Sequence, residues 1–354
     1  MSSTTRLDKD RLQDAARIAE EAVKSGSHPS AVIAVANSRE LIWSHVVPGP
    51  DNLSFDTIFL VASITKPVVA TAIMQLVEQG KLQLEAPVSS YLPEFTGQGK
   101  ESITTWHLLT HSSGLEEDQF WGELDSLARG GNLPTRRWLY EACCRSHTNF
   151  EPGTAYRYNS LTFNVLGELI ERLGGLPYDE YLQEHIFKPL GMKDTAFNPF
   201  DRDRTAPVYG FAYQTFEDAF ISMAQPGGGL WSTASDLMKF GQVFLRGGEY
   251  NGYRLLRPET IKMMVEHRTR GMTQVSNGEE APFNYALGWG KPPYPLTEDG
   301  PSEGSFGHGG VTGTLLWIDP EYDLVLVFLT NRWEAAPLNE QVRGAVYQAL
   351  VQRE

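Results

Sequence analysis

The chain has 354 residues, 41% hydrophobic and 21% charged, the composition of an ordinary soluble globular protein. Its 30 basic and 44 acidic residues leave a net charge of −14, which makes phosphate backbones and anionic lipid surfaces poor partners. No run of 18 apolar residues and no apolar leader occurs, so neither nucleic acid nor membrane is an expected partner and the cytoplasm is the expected compartment.

Leu7 to Lys24 places Leu12, Ala15, Ile18, Ala19, Ala22 and Val23 on one stripe and reads as an amphipathic helix closed by Gly26. Ala31 to Ala36 and Leu41 to Val47, separated by Asn37 to Glu40, read as a β-hairpin. A long helical pattern spans Pro67 to Gln79 and stops at Gly80. Thr104 to Leu109, Thr135 to Cys144, Phe163 to Leu173 and Asp179 to Ile186 continue in helical style, with Gln119 to Gly131 as a loop between them. Adjacent Cys143 and Cys144 are expected as reduced thiols, because a bridge between neighbours is strained.

Gly227-Gly228-Gly229 breaks the pattern and is expected to be a flexible bend without chemistry. It leads into a capped helix over Leu237 to Leu245, followed by a helix at Pro258 to Glu266. Tyr285 to Trp289 is expected as a strand within a loop-rich stretch. Thr314 to Ile318 and Leu324 to Leu329 read as strong strands joined by a turn, and Ala335 to Arg353 as a closing helix. Both ends share one character, and each is too small for its own core. The expected fold is therefore α/β (α+β): an antiparallel sheet flanked by N- and C-terminal helices, with an inserted, mostly helical domain. The boundaries are 1–75 and 225–354 for the sheet domain and 76–224 for the insertion, with the active site at their interface.

Three segments carry candidate chemistry. In Ser63-Ile64-Thr65-Lys66 the serine and lysine are three apart, so in one helical turn they share a face. A serine hydroxyl needs a base before it can attack a carbonyl, and a lysine whose proton is weakened by its surroundings can provide one. On spacing alone, an N-capping serine beside a solvated lysine explains the same residues. In Tyr156-Arg157-Tyr158-Asn159-Ser160, Tyr158 sits at a loop-to-helix junction where its phenol can exchange a proton with Ser63. In Gly307-His308-Gly309-Gly310-Val311, the glycines allow close approach of backbone to a ligand, and His308 can bind a carboxylate or help to move a proton.

Together with His107-Leu108-Leu109-Thr110-His111-Ser112-Ser113-Gly114-Leu115 and Gly228-Gly229-Leu230-Trp231-Ser232-Thr233, these three motifs resemble those of the penicillin-recognising serine hydrolases. The similarity covers roughly residues 15 to 350. It is strongest to the branch of class C β-lactamases, D-aminopeptidases, DD-peptidases and β-lactamase-like carboxylesterases. The resemblance implies that Ser63 is acylated, that Lys66 and Tyr158 share acid and base work, and that the backbone N–H groups of Ser63 and Val311 form an oxyanion hole. It also implies that Ser160, His308, Gly309 and Gly310 line the substrate site. Trp121 and Trp289, with Trp231 and Trp333, are candidate aromatic walls of the pocket, and core packing explains each of them at least as well.

The chain departs from the class C pattern twice. Ser160 replaces the asparagine of Tyr-x-Asn, and His308-Gly309-Gly310 replaces Lys-Thr-Gly, which removes a permanent cation that would hold a carboxylate. The expected function is therefore a serine hydrolase acting on a small-molecule ester or small amide. A D-amino-acid peptidase, DD-peptidase or weak class C-type β-lactamase is the alternative, and a catalytically silent binding protein is the alternative of another class. No cofactor is expected, and no metal, since the histidines lack zinc-like spacing.

Overall fold

Two segments apolar at every position, Ala31–Ala36 and Leu324–Leu329, form the centre of the sheet. In the structure, a computed structural model that describes residues 6–115, 117–128, 135–210, 217–276, 279–282, 284–293, 296–334 and 337–351, they are neighbours in a five-stranded antiparallel sheet. Its strands are β1 (Ala31–Ala36), β2 (Leu41–Val47), β3 (Phe306–Gly309), β4 (Leu315–Asp319) and β5 (Leu324–Leu329), in spatial order β3-β4-β5-β1-β2. Both ends of the chain thus share one sheet, as expected from their common character.

Side chains alternate across a strand, so β1 and β5 serve two cores at once. Val32, Ala34, Ala36, Val325, Val327 and Leu329 face the larger core. Ala31, Ile33, Val35, Leu324, Leu326 and Phe328 face a smaller one, covered by α1 (Leu12–Lys24) and the C-terminal helix. Burial on both faces explains why neither strand carries a polar residue.

The larger core holds α2 (Thr65–Glu78), buried along Thr65–Leu76. The same core continues into α3 (Thr105–Leu109), α4 (Glu117–Ala128), α5 (Arg136–Arg145) and α6 (Phe163–Gly174), and returns to the sheet through α7 (Ala234–Leu245). The C-terminal helix is α8 (Leu338–Gln348), shorter than the expected closing helix: Leu350–Val351 instead pairs antiparallel with Arg6–Leu7, and Ala335 and Arg353 lie outside the described residues. No helix among the described residues is long and apolar enough to cross a membrane.

Two further local expectations fail. The expected loop from Gln119 is helical through Ala128, because Phe120 and Leu124, one turn apart, bury a stripe that the acidic first turn disguises; Gly130 and Gly131 lie outside the described residues. Tyr285–Trp289 forms only isolated bridges, because Gly288 turns the chain at φ +76°.

A buried polar network fastens α8 to the sheet. Tyr347 Oη donates to Asp319 Oδ2 at 2.7 Å and accepts from Trp317 Nε1 at 2.9 Å, while Ser302 Oγ donates to the same carboxylate at 2.6 Å. Tyr347→Phe strands the buried Trp317 Nε1 donor and leaves Asp319 Oδ2 with Ser302 N alone, at 2.9 Å. It is expected to cost about 1–3 kcal/mol, read as a lower urea midpoint at unchanged m-value.

Candidate active site

The turn carrying Ser63 is built from beneath. The short strand Phe59–Leu60 pairs with Trp231–Ser232, and Val61 N donates to Leu230 O at 2.9 Å. Ala62 then takes φ +48°, a left-handed conformation unfavourable for a residue with a Cβ. Thr65 holds it there: its Oγ1 donates to Ala62 O at 2.6 Å and accepts from Leu230 N at 3.0 Å. The chain passes through a 3₁₀ turn, Ala62–Ile64, directly into α2, which leaves Ser63 partly open to solvent at the head of a buried helix.

Lys66 has no exposed surface. Its Nζ lies 3.0 Å from Ser63 Oγ, 3.0 Å from Ser160 Oγ and 2.6 Å from Gly227 O. The ring faces of Tyr158 and Phe163 cover it at 4.8 and 5.5 Å. Tyr158 Oη donates to Ser63 Oγ at 3.0 Å. Ser63 Oγ therefore touches an amine and a phenol, and both can carry its proton. The Gly227 segment, expected to be a bend only, supplies one of the three oxygens around Lys66. A Cβ at Gly227 would lie 2.2 Å from Ser160 O, so only glycine fits.

The opposite wall is the end of β3. Gly310 packs against the Ser63 turn so closely that a Cβ would lie 2.5 Å from Val61 O. Val311 is the next residue along the chain. Among the described residues neither the Ser63 nor the Val311 backbone N–H has a hydrogen-bond partner, the condition for an oxyanion site. His308 is buried, with its Nε2 2.9 Å from Tyr285 Oη and its Nδ1 2.8 Å from Gly309 O. A carbonyl can only accept, so Nδ1 carries the proton and Nε2 accepts from the phenol. Burial, with Lys66 nearby, lowers its pKa to about 3. His308 lines a cavity of about 340 Å³ with Tyr158, but as a neutral ring with both nitrogens committed it lacks the cation expected to hold a carboxylate.

Other expected residues fall elsewhere. Trp289 is wholly buried among Phe240, Phe244 and Phe306 and is a core residue, not a pocket wall. Trp121 stands 47% exposed on α4. Asn159 turns away from the site, donating to Leu115 O at 3.0 Å and accepting from Leu161 N at 2.9 Å. Ser160, not Asn159, reaches Lys66.

Two residues escaped sequence reasoning. His111, at φ +56°, brackets Tyr158: its carbonyl accepts from Arg157 N at 2.9 Å and its Nδ1 from Asn159 N at 3.2 Å. Its ring lies 4.4 Å from that of Tyr158, and burial holds it well below the usual histidine range. Glu117 Oε1 accepts from Ser160 N at 2.7 Å. The His111 segment was legible only as a motif, and nothing in the pattern near Glu117 marks it.

The beta-lactamase family model matches residues 15–350. The chain is 26% identical over 397 aligned positions to the N-acetylmuramyl-L-alanine amidase of Bacillus subtilis (strain 168), across 98% of this chain and 87% of the relative. It is 29% identical over 327 positions to a putative D-alanyl-D-alanine carboxypeptidase of Escherichia coli (strain K12), across 80% and 71%. The crystal structure of a family VIII carboxylesterase has a TM-score of 0.78 to it at 20% identity, over 98% of this chain and 99% of the other. Fold and matches define a serine hydrolase of the penicillin-recognising type. The chain belongs to the beta-lactamase family.

The lowered histidines set an acid limit. From about pH 6.5 down to about 3 the unfolded chain protonates His308 while the native state does not, so the unfolded state binds more protons. Stability therefore rises with pH through that window and falls on acidification. The urea midpoint of the wild type is expected to drop more steeply than that of His308→Asn between about pH 7 and about pH 4.

Proposed function

We propose that the protein is a carboxylesterase-like hydrolase that works through an acyl-enzyme on Ser63. The observation that carries this reading is Ser63 Oγ at 3.0 Å from both Lys66 Nζ and Tyr158 Oη. Ser63 Oγ bonds to the substrate carbonyl carbon while its proton passes to the Lys66–Tyr158 pair. The carbonyl oxygen takes the negative charge and turns to the N–H groups of Ser63 and Val311. Collapse breaks the bond to the leaving alcohol, which takes the proton back from the pair. Water then attacks the acyl-enzyme by the same route, and the acid departs as Ser63 recovers its proton.

Small esters are the proposed substrates because β3 offers a neutral imidazole where a charged carboxylate would need a cation. The likeness to the family VIII carboxylesterase structure supports the same choice. A cytoplasmic site of action is part of the proposal. Initial rates on p-nitrophenyl acetate and butyrate, a chromogenic cephalosporin and D-alanyl p-nitroanilide test it. Turnover of the esters above the other two is expected, falling at least about 10⁴-fold in Ser63→Ala. Retained turnover in that variant would remove Ser63 from the mechanism.

One observation favours a second reading, peptide-like substrates with a free carboxylate. Lys291 and Arg343 line the same cavity as Tyr158 and His308, and burial brings Lys291 down to about 8. Among the described residues neither cation forms an ion pair. If a carboxylate binds there, Lys291→Met raises KM for a D-alanyl-D-alanine peptide by about tenfold and leaves that for p-nitrophenyl butyrate nearly unchanged. Equal effects on both substrates would argue against this reading.

A further inference from the structure

Glu117 has more charge than its visible task requires. It accepts the backbone N–H of Ser160 at 2.7 Å, and a glutamine carbonyl would do that equally well. Its carboxylate is partly exposed and, among the described residues, forms no ion pair within 4.0 Å. Lys66 is close but does not cancel it by contact, because the three donors of Nζ are directed to Ser63, Ser160 and Gly227. A first-turn acid suits the helix dipole, but Asp118 in the same turn serves that purpose already. One turn along α4 stands Trp121, four residues on and so on the same face, with 47% of its surface open. A carboxylate one helical turn from an exposed indole is a combination that suits an organic cation. Tyr158 also lines the neighbouring cavity, whose wall carries Lys291 and Arg343 together with Glu340.

We propose that Glu117, with Trp121, makes the α4 flank of the cleft a subsite for a positively charged group of the substrate, an ammonium. This deepens the esterase reading and rests on acylation of Ser63. The chemistry selects cationic esters over neutral ones of the same shape and disfavours anionic ones.

Two isosteric pairs test it. With the charge on the acyl group, p-nitrophenyl 4-(trimethylammonio)butyrate is compared with p-nitrophenyl 5,5-dimethylhexanoate. With the charge on the leaving group, butyrylthiocholine is compared with 3,3-dimethylbutyl thiobutyrate. Wild type is expected to favour the cation in one pair by about tenfold in kcat/KM, less at high salt. Glu117→Gln, which keeps an oxygen for Ser160 N, is expected to bring that ratio near one. A wild-type ratio near one in both pairs, or a preference that survives Glu117→Gln, overturns the proposal. If the neutral esters are not hydrolysed either, the esterase reading fails separately, and calorimetry of butyltrimethylammonium binding to the Ser63→Ala protein decides. Affinity about tenfold weaker when Glu117→Gln is added upholds the subsite, and unchanged affinity overturns it.

Discussion

A lysine amine with no exposed surface is the constraint around which this molecule is arranged. Taking such a group out of water costs several kcal/mol unless hydrogen bonds replace its hydration. Lys66 finds three oxygens, and they come from three distant parts of the chain: Ser63, Ser160 and Gly227. No one segment can supply that shell, so satisfying Lys66 requires the head of α2, the helical middle and the glycine-rich turn to meet. Gly227 can reach it only without a side chain, since a Cβ there would overlap the Ser160 carbonyl. The folding requirement and the chemistry are thus one requirement: the shell that makes burial of Lys66 tolerable includes the serine hydroxyl it would activate.

A second layer holds the phenol in place. His111 grips the backbone on either side of Tyr158 and lies under its ring. Tyr285 links this layer to β3, with its ring 4.8 Å from His111 and its hydroxyl on His308. Both histidines act as neutral hydrogen-bonding groups, because burial beside Lys66 disfavours a further positive charge. They are better understood as struts between the two walls than as acids or bases, which is why spacing arguments that treat histidine as a proton carrier misjudge His308.

Much of this was legible in the sequence, for physical reasons. β1 and β5 stand out as unbroken apolar runs because both of their faces are buried, α6 and α7 show helical periodicity, and the structure places all four where the pattern does. Ser63, Lys66 and Tyr158 were legible as motifs, and they meet at 3.0 Å. What failed was weakly amphipathic or decided by tertiary contacts. α4 hid the buried Phe120 and Leu124 among acidic residues. Trp289 lies between two glycines, a local pattern equally suited to a pocket wall, and it is three phenylalanines from α7 and β3 that draw it into the core. The same limit hid Glu117 and Gly227, whose significance lies wholly in partners more than 40 residues away.

The position of charge explains how one site can suit different substrates. The groups that touch Ser63 Oγ are a phenol and an amine, and neither of them reads the identity of the acyl or leaving group. Discrimination falls to the rim. In the class C pattern it resembles, a lysine stands on the strand beside the nucleophile, whereas here β3 carries a neutral imidazole locked by Tyr285 and Gly309. The cations lie farther out instead, Arg343 on α8 with its guanidinium 4.3 Å over the Trp317 ring, and Lys291 beside Phe306. A cation held on a helix at the cavity wall can be exchanged without disturbing β3, because the strand is fixed by its ladder to β4 and by the Gly310 contact. With no charge on the strand, the sheet edge keeps its close packing against the Ser63 turn while the charged groups stand on the elements around it.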